Sequence, residues 1–137
     1  NLPIRVTEFN FPGQRSKHYG DRRARLTDEE EQAKARAIVD YYRISFAHKA
    51  VQGILMWGFW EGANWIPVSS LYRRDWSPTP AAEAYRDLIF RQWWTDWRGK
   101  SEVRAFYGKH RVTAAGKEFV VDLKPNEPTK VVSLKSE

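Results

Sequence analysis

Val51-Gln52-Gly53-Ile54-Leu55-Met56-Trp57, continued by Gly58-Phe59-Trp60-Glu61-Gly62-Ala63-Asn64-Trp65, is the stretch whose reading decides the fold. Its first seven residues form a short, nearly continuous apolar run, the pattern of a strand buried on both faces. A long polar and aromatic loop follows, from Gly58 to Thr79. Upstream, Pro3-Ile4-Arg5-Val6-Thr7-Glu8-Phe9 alternates and is rich in β-formers, which predicts another strand with Glu8 at its C-terminal end.

Between these strands, Asn10 to Leu26 reads as a long loop, and Thr27-Asp28-Glu29-Glu30 has the form of a capping box. The helix it opens is expected to run to about His48, with Ile38, Tyr41, Tyr42, Ser45 and Phe46 facing a core. Thr79-Pro80 opens a second helix, expected to reach about Trp94. Strand, loop, helix, strand, loop, helix is α/β in character, and strands joined by a crossover helix are parallel. Beyond residue 97 the pattern changes. Residues 103–108, 110–115, 117–123 and 129–134 read as short strands of an antiparallel appendage, with turns at Ala115-Gly116 and Pro125-Asn126-Glu127-Pro128.

Composition narrows the function classes. The chain has 137 residues, 42% of them hydrophobic, which suffices for one domain with a core. It has no cysteine, which excludes disulfide scaffolds, thiolate zinc sites and a cysteine nucleophile. No apolar run approaches a membrane span. The chain begins at Asn1, so something removed upstream or a longer parent protein is expected. The net charge of +6 is thinly spread along the chain, which argues against a phosphate-binding face and a nucleic-acid partner. The densest cluster, Arg22, Arg23 and Arg25, is flanked by Asp21 and Asp28.

Seven tryptophans are the unusual feature. Trp60, Trp65 and Trp76 fall in predicted loops, where a flat indole suits the C–H face of a sugar ring; a Trp-rich core explains the count equally well. Glu8, at a strand end, is open between a nucleophile or general base and a surface glutamate. Trp57 and Trp65 fit a floor and a lid around a sugar, or else a core residue and a plug. Glu61 has the chemistry to accept hydrogen bonds from sugar hydroxyls. His18, His48 and His110 share no metal-ligand spacing, so neither metal nor cofactor is expected.

Val6-Thr7-Glu8-Phe9-Asn10 resembles the nucleophile strand of glycoside hydrolase family 10, the endo-1,4-β-xylanases, with its T-E-[LF]-[DN] motif. Gln32-Ala33 falls in the following helix as in that family. Gly53 to Trp65 resembles the family's last barrel strand and loop, and Leu71-Tyr72-Arg73-Arg74-Asp75-Trp76-Ser77-Pro78 the segment before its last helix. The resemblance covers residues 1 to about 97. It implies the last two β/α units of a TIM (β/α)8 barrel in residues 1–97, with residues 98–137 as a β tail. It implies a retaining xylanase with Glu8 as nucleophile and Trp57 and Trp65 walling the glycone side. Glu61 stands where many members have Asp. Xylan or xylo-oligosaccharide is the implied ligand, in an extracellular or periplasmic setting. A barrel needs about 250 residues. The acid/base glutamate of the family's fourth strand has no counterpart here, so this chain is expected to need a missing N-terminal barrel portion and to be inactive alone. The alternative is a non-catalytic carbohydrate-binding module that stacks sugars on Trp60, Trp65 and Trp76.

Overall fold

Ile4–Phe9 forms β1 and Val51–Met56 forms β2, and the two pair in parallel with Ile4 opposite Val51 and Phe9 opposite Met56. The computed structural model describes residues 2–99 and 102–132. The crossover between the strands is α1, Asp28–Ala47. The predicted capping box starts it: the Thr27 hydroxyl accepts from the Glu30 amide, and the Glu30 carboxylate accepts from the Thr27 amide. Four acidic residues in the first turn complement the helix dipole. Thr79 caps α2, Pro80–Asp87, with Pro80 in its first turn. A π turn over Leu88–Gln92 ends the helical stretch, short of the expected Trp94.

The core of this first unit, Asn1–Arg91, lies where the two helices meet and under the loop that precedes α2. Ile38, Ala35 and Tyr42 from α1, Ala81 and Ala82 from α2, and Leu88 and Leu71 are buried. Tyr42 meets Tyr85 edge-on at 5.1 Å, and Phe9 stacks flat on Tyr41 at 4.0 Å. Such aromatic pairs add about 0.5–1.5 kcal/mol each beyond area burial. Phe46, expected in the core, is 60% exposed because α1 has partners on one side only.

The barrel expectation is overturned. Among the described residues there are two α-helices and two two-stranded sheets, not the last two units of a TIM (β/α)8 barrel. A single parallel pair covered by α1 encloses no interior. Leu55 and Trp57, which a sheet buried on both faces would hide, are half exposed or more. The apolar run of β2 predicts two buried faces, but among the described residues only one face has a partner.

The second unit, Gln92–Glu137, contains β3, Gly108–Ala114, and β4, Lys117–Leu123. They form an antiparallel hairpin in continuous register from Gly108 opposite Leu123 to Ala114 opposite Lys117. Its turn, Ala115-Gly116, has φ of +49° and +74°, the left-handed conformation that matches strand twist in a two-residue hairpin. The expected strand at 103–108 is irregular up to Gly108, and residues 129–132 are not a strand; 133–134 lie outside the described residues. Three or four strands reduce to two because only the segments flanking a two-residue turn find each other.

Candidate functional site: the open face beside Glu8 and Trp57

β1 is irregular between Val6 and Phe9. The irregularity lets Val6 and Phe9 both lie on the half-buried, helix-covered side, while Thr7 and Glu8 are exposed. β2 regains plain alternation, so Ile54 and Met56 lie on the helix side and Leu55 and Trp57 on the open side. The Trp57 amide donates to the Phe9 carbonyl at 3.0 Å. Glu8 and Trp57 therefore emerge on the same uncovered face, at adjacent strand ends. Trp57 is 50% exposed. The Glu8 carboxylate makes no hydrogen bond or ion pair with the described residues.

The strand ends are locked by a polar hub. The Asn10 amide donates to the Trp57 carbonyl at 2.9 Å and to Ser69 Oγ at 2.7 Å. Ser69 in turn donates to the Ile66 carbonyl at 2.8 Å. The buried Asn64 amide reaches the Gly58 carbonyl at 3.1 Å and Ser70 Oγ at 2.8 Å, while Asn64 Oδ1 accepts from the Ile66 amide. Gly58, at φ +79°, turns the chain here, and a Cβ on it would meet Asn64 Cγ at 3.0 Å. The long loop after β2 is thus ordered by its own polar side chains.

A buried cation supports the hub from below. Lys34 of α1 is 2% exposed, and its ammonium donates to the carbonyls of Val68 and Ser70, both at 2.9 Å. Glu31 lies 3.3 Å from it and also pairs with Arg73. Burial lowers the Lys34 pKa against the opposing pull of Glu31.

Trp65 is 38% exposed and meets the edge of Tyr19 at 5.7 Å, which joins it to the first loop. Glu61 is buried and engaged: Arg25 approaches Oε1 at 2.9 Å, and Oε2 accepts from the Arg74 amide at 3.2 Å. Its carboxylate ties the two long loops together. Trp60 and Trp76 stack on each other at 5.1 Å and 9°. Trp76 sits at φ +67°, costly for a bulky side chain, within a turn closed by Asp75 on Ser77. The structure therefore separates the aromatic residues into Trp57 beside Glu8, Trp65 against Tyr19, and the Trp60–Trp76 pair.

An open apolar cleft of about 340 Å³, lined by Tyr42, Ile54, Met56, Phe59 and Tyr85, lies on the helix side of β2, away from Glu8. Among the described residues no three His, Cys, Asp or Glu side chains gather as a metal site, and no helix is long and apolar enough to cross a membrane.

No family model matches the chain. Two known proteins resemble it in part. Over 120 residues, 82% of this chain, it is 30% identical to the anti-sigma-I factor RsgI6 of Acetivibrio thermocellus. Over 100 residues, 64% of this chain, it is 32% identical to endo-1,4-beta-xylanase 2 of Arabidopsis thaliana. The chain spans 14% of the length of the first and 9% of the second. The likeness to a xylanase is thus partial, and it reaches a protein of a different kind as well.

Sequence reading missed Lys34, Asn10, Asn64 and Arg25 as organisers of the face. Lys34 carried a faint signal: a lysine one turn ahead of Ile38, on the stripe that faces the core.

Proposed function

We propose that this chain supplies a glycan-binding face and a carboxylate nucleophile to a hydrolase of β-1,4-linked xylan. The observation that carries the reading is the placement of Glu8 and Trp57 on one open face at neighbouring strand ends. The sugar ring stacks on the Trp57 indole, and Glu8 attacks the anomeric carbon from beside it. Trp65, set apart against Tyr19, offers a second stacking surface. Glu61 holds the two loops through Arg25 and Arg74 and shapes the face from behind.

A retaining glycosidase needs a second carboxyl group about 5–5.5 Å from the nucleophile, to protonate the leaving oxygen and then activate water. Glu61 is committed to its arginines, and no other carboxylate of the hub is free. The acid must come from another polypeptide segment, which would also cover Leu55 and Ile4 on the open sheet. The chain by itself then binds without turnover. Xylan is a polymer, so the working place is outside the cytoplasmic membrane.

Titration of the intrinsic tryptophan fluorescence with xylohexaose tests this reading. Saturable quenching or enhancement is expected, with no release of reducing sugar. Glu8→Gln should retain the response. An epoxyalkyl β-xyloside should label Glu8 slowly, the carboxylate opening the epoxide and solvent water protonating the released oxygen, as located by peptide mass mapping, and xylobiose should compete. No fluorescence response to any xylo-oligosaccharide would sink the proposal.

A second reading, sugar binding without any catalytic role, draws on Trp76, which is 56% exposed and held in a strained backbone. Likeness to an anti-sigma factor fits it, since a regulator needs no turnover.

A further inference from the structure

A basic loop packs on Trp65 through Tyr19. The segment 10–26 holds Arg15, Lys17, Arg22, Arg23 and Arg25 against Asp21 alone, within a chain of net charge +6. The segment is ordered by consecutive turns: the amides of Ser16, Tyr19, Asp21 and Ala24 each donate to the carbonyl three residues back. It is also anchored at two points that flank Arg22 and Arg23. Tyr19 packs on Trp65, while Ala24 packs with Ile66 and Val68.

Two of the five cations are neutralised within the protein. Lys17 pairs with Glu30 at 2.6 Å, and Arg25 with Glu61 at 2.9 Å. The guanidinium groups of Arg15, Arg22 and Arg23 have no carboxylate partner among the described residues, and all three residues are exposed. Arg22 and Arg23 lie between the two anchors, so their backbone is fixed next to the Trp65 wall. Like charges held together on a rigid loop repel one another unless an anion sits between them. A guanidinium fork suits planar or tetrahedral oxyanions and does little for neutral hydroxyls.

We infer that the glycan taken by this face carries anionic substituents, and that Arg22 and Arg23, with Arg15 in support, receive its carboxylate or sulfate oxygens while Trp65 stacks on the adjoining sugar. This rests on the glycan-binding reading above and adds the substrate class to it. The shared chemistry is an oxyanion on a β-glycan; a uronate and a sulfate ester are its two sources.

Affinity electrophoresis of the whole chain tests the inference with four polymers: glucuronoxylan, the same polymer with its carboxyl groups reduced, a sulfated xylan, and its desulfated parent. The acidic polymers are expected to bind about tenfold or more tightly than their neutral counterparts, with the margin shrinking as salt rises. Which acidic polymer gains more identifies the oxyanion. Arg22→Gln/Arg23→Gln should remove most of that margin and leave xylohexaose binding unchanged. Both side chains are exposed, so folding should be unaffected. A matched loss of two charges on α1 and the segment after it, Arg36→Gln/Lys49→Gln, should keep the margin. Equal binding of acidic and neutral polymers alongside normal xylohexaose binding overturns the inference and leaves the proposed function intact. Loss of the margin in the α1 control as well overturns it in favour of diffuse charge, and equal retention by double-stranded DNA overturns it in favour of a general polyanion surface. Failure to bind any glycan, charged or neutral, overturns both.

Discussion

The Asn10 side chain donates to the Trp57 carbonyl at 2.9 Å and to Ser69 Oγ at 2.7 Å, so one amide joins the end of β1, the end of β2 and the loop before α2. Because Glu8 lies two residues before Asn10, this contact sets Glu8 relative to Trp57. Asn10→Ala deletes both bonds and should cost about 1–2 kcal/mol. Urea denaturation should show a lower midpoint with an unchanged slope, and xylohexaose affinity should fall with it. Asn10→Asp should cost more at neutral pH, because a carboxylate would face the Trp57 carbonyl. If Asn10→Ala left both stability and affinity intact, the two strand ends would have to be held by the backbone alone.

Lys34 is a single-residue strut between α1 and the hub. Lys34→Met keeps the volume but leaves the Val68 and Ser70 carbonyls without a donor and Glu31 without its buried cation. Breaking such a pair costs about 3–5 kcal/mol; Arg73 still faces Glu31, so the lower end is expected. The check is a chemical denaturation curve beside Trp emission of the native state. A loss under 1 kcal/mol would mean that the loop is held by Asn64 and Ser69 and not from below.

The acid limb of stability should report Glu30. Its pKa falls from 4.5 to about 2, first because Lys17 bonds its carboxylate, then because the Thr27 amide does. A carboxyl depressed in the folded state stabilises fully above the unfolded value, and the contribution disappears as pH drops from about 4.5 through about 2. Thermal melts followed by helical circular dichroism from pH 6 to pH 2 should therefore slope more steeply in that window for the natural chain than for Glu30→Gln. Parallel slopes would show that the capping box contributes no linked protonation.

What the sequence made legible was local chemistry. Thr27 to Glu30 announced the start of α1, Thr79-Pro80 that of α2, and Ala115-Gly116 the hairpin turn, because each signal acts within four residues. The neighbouring placement of Glu8 and Trp57 followed from strand ends joined by a crossover helix. What stayed hidden depends on distant partners. Nothing local in Leu55 says whether a sheet face is covered, so the apolar run of β2 has the same pattern as a strand buried on both faces. Nothing near Glu61 announces Arg25, which comes from the other long loop 36 positions earlier. Lys34 looked like an ordinary helix cation because its acceptors are carbonyls more than thirty residues away.

Ala115 is a local conflict that invites repair. Its φ of +49° places a Cβ in the left-handed region, where asparagine or glycine is easier. Ala115→Asn should stabilise the hairpin by about 0.5–1 kcal/mol. Slower amide exchange at Val112 and Phe119, a hydrogen-bonded pair in mid-ladder, is the readout; unchanged exchange would mean that the turn does not limit opening of β3 and β4.

Trp57 and Trp76 separate the two functional readings. Trp57 adjoins Glu8 and spends no face on another ring of the described residues, whereas Trp76 stacks one face on Trp60 and contacts Phe59 and Tyr72. If sugar is bound for attack by Glu8, Trp57→Ala should weaken xylohexaose binding about tenfold, an effect of about 1.4 kcal/mol. Trp76→Ala should then spare affinity and lower stability, because its stack is lost, although relief of the left-handed backbone by Trp76→Gly would offset part of that. The opposite pattern, affinity lost with Trp76 and kept without Trp57, would move the sugar to the Trp60–Trp76 pair. Glu8 would then be a surface glutamate, and the chain a binding module with no part in bond cleavage.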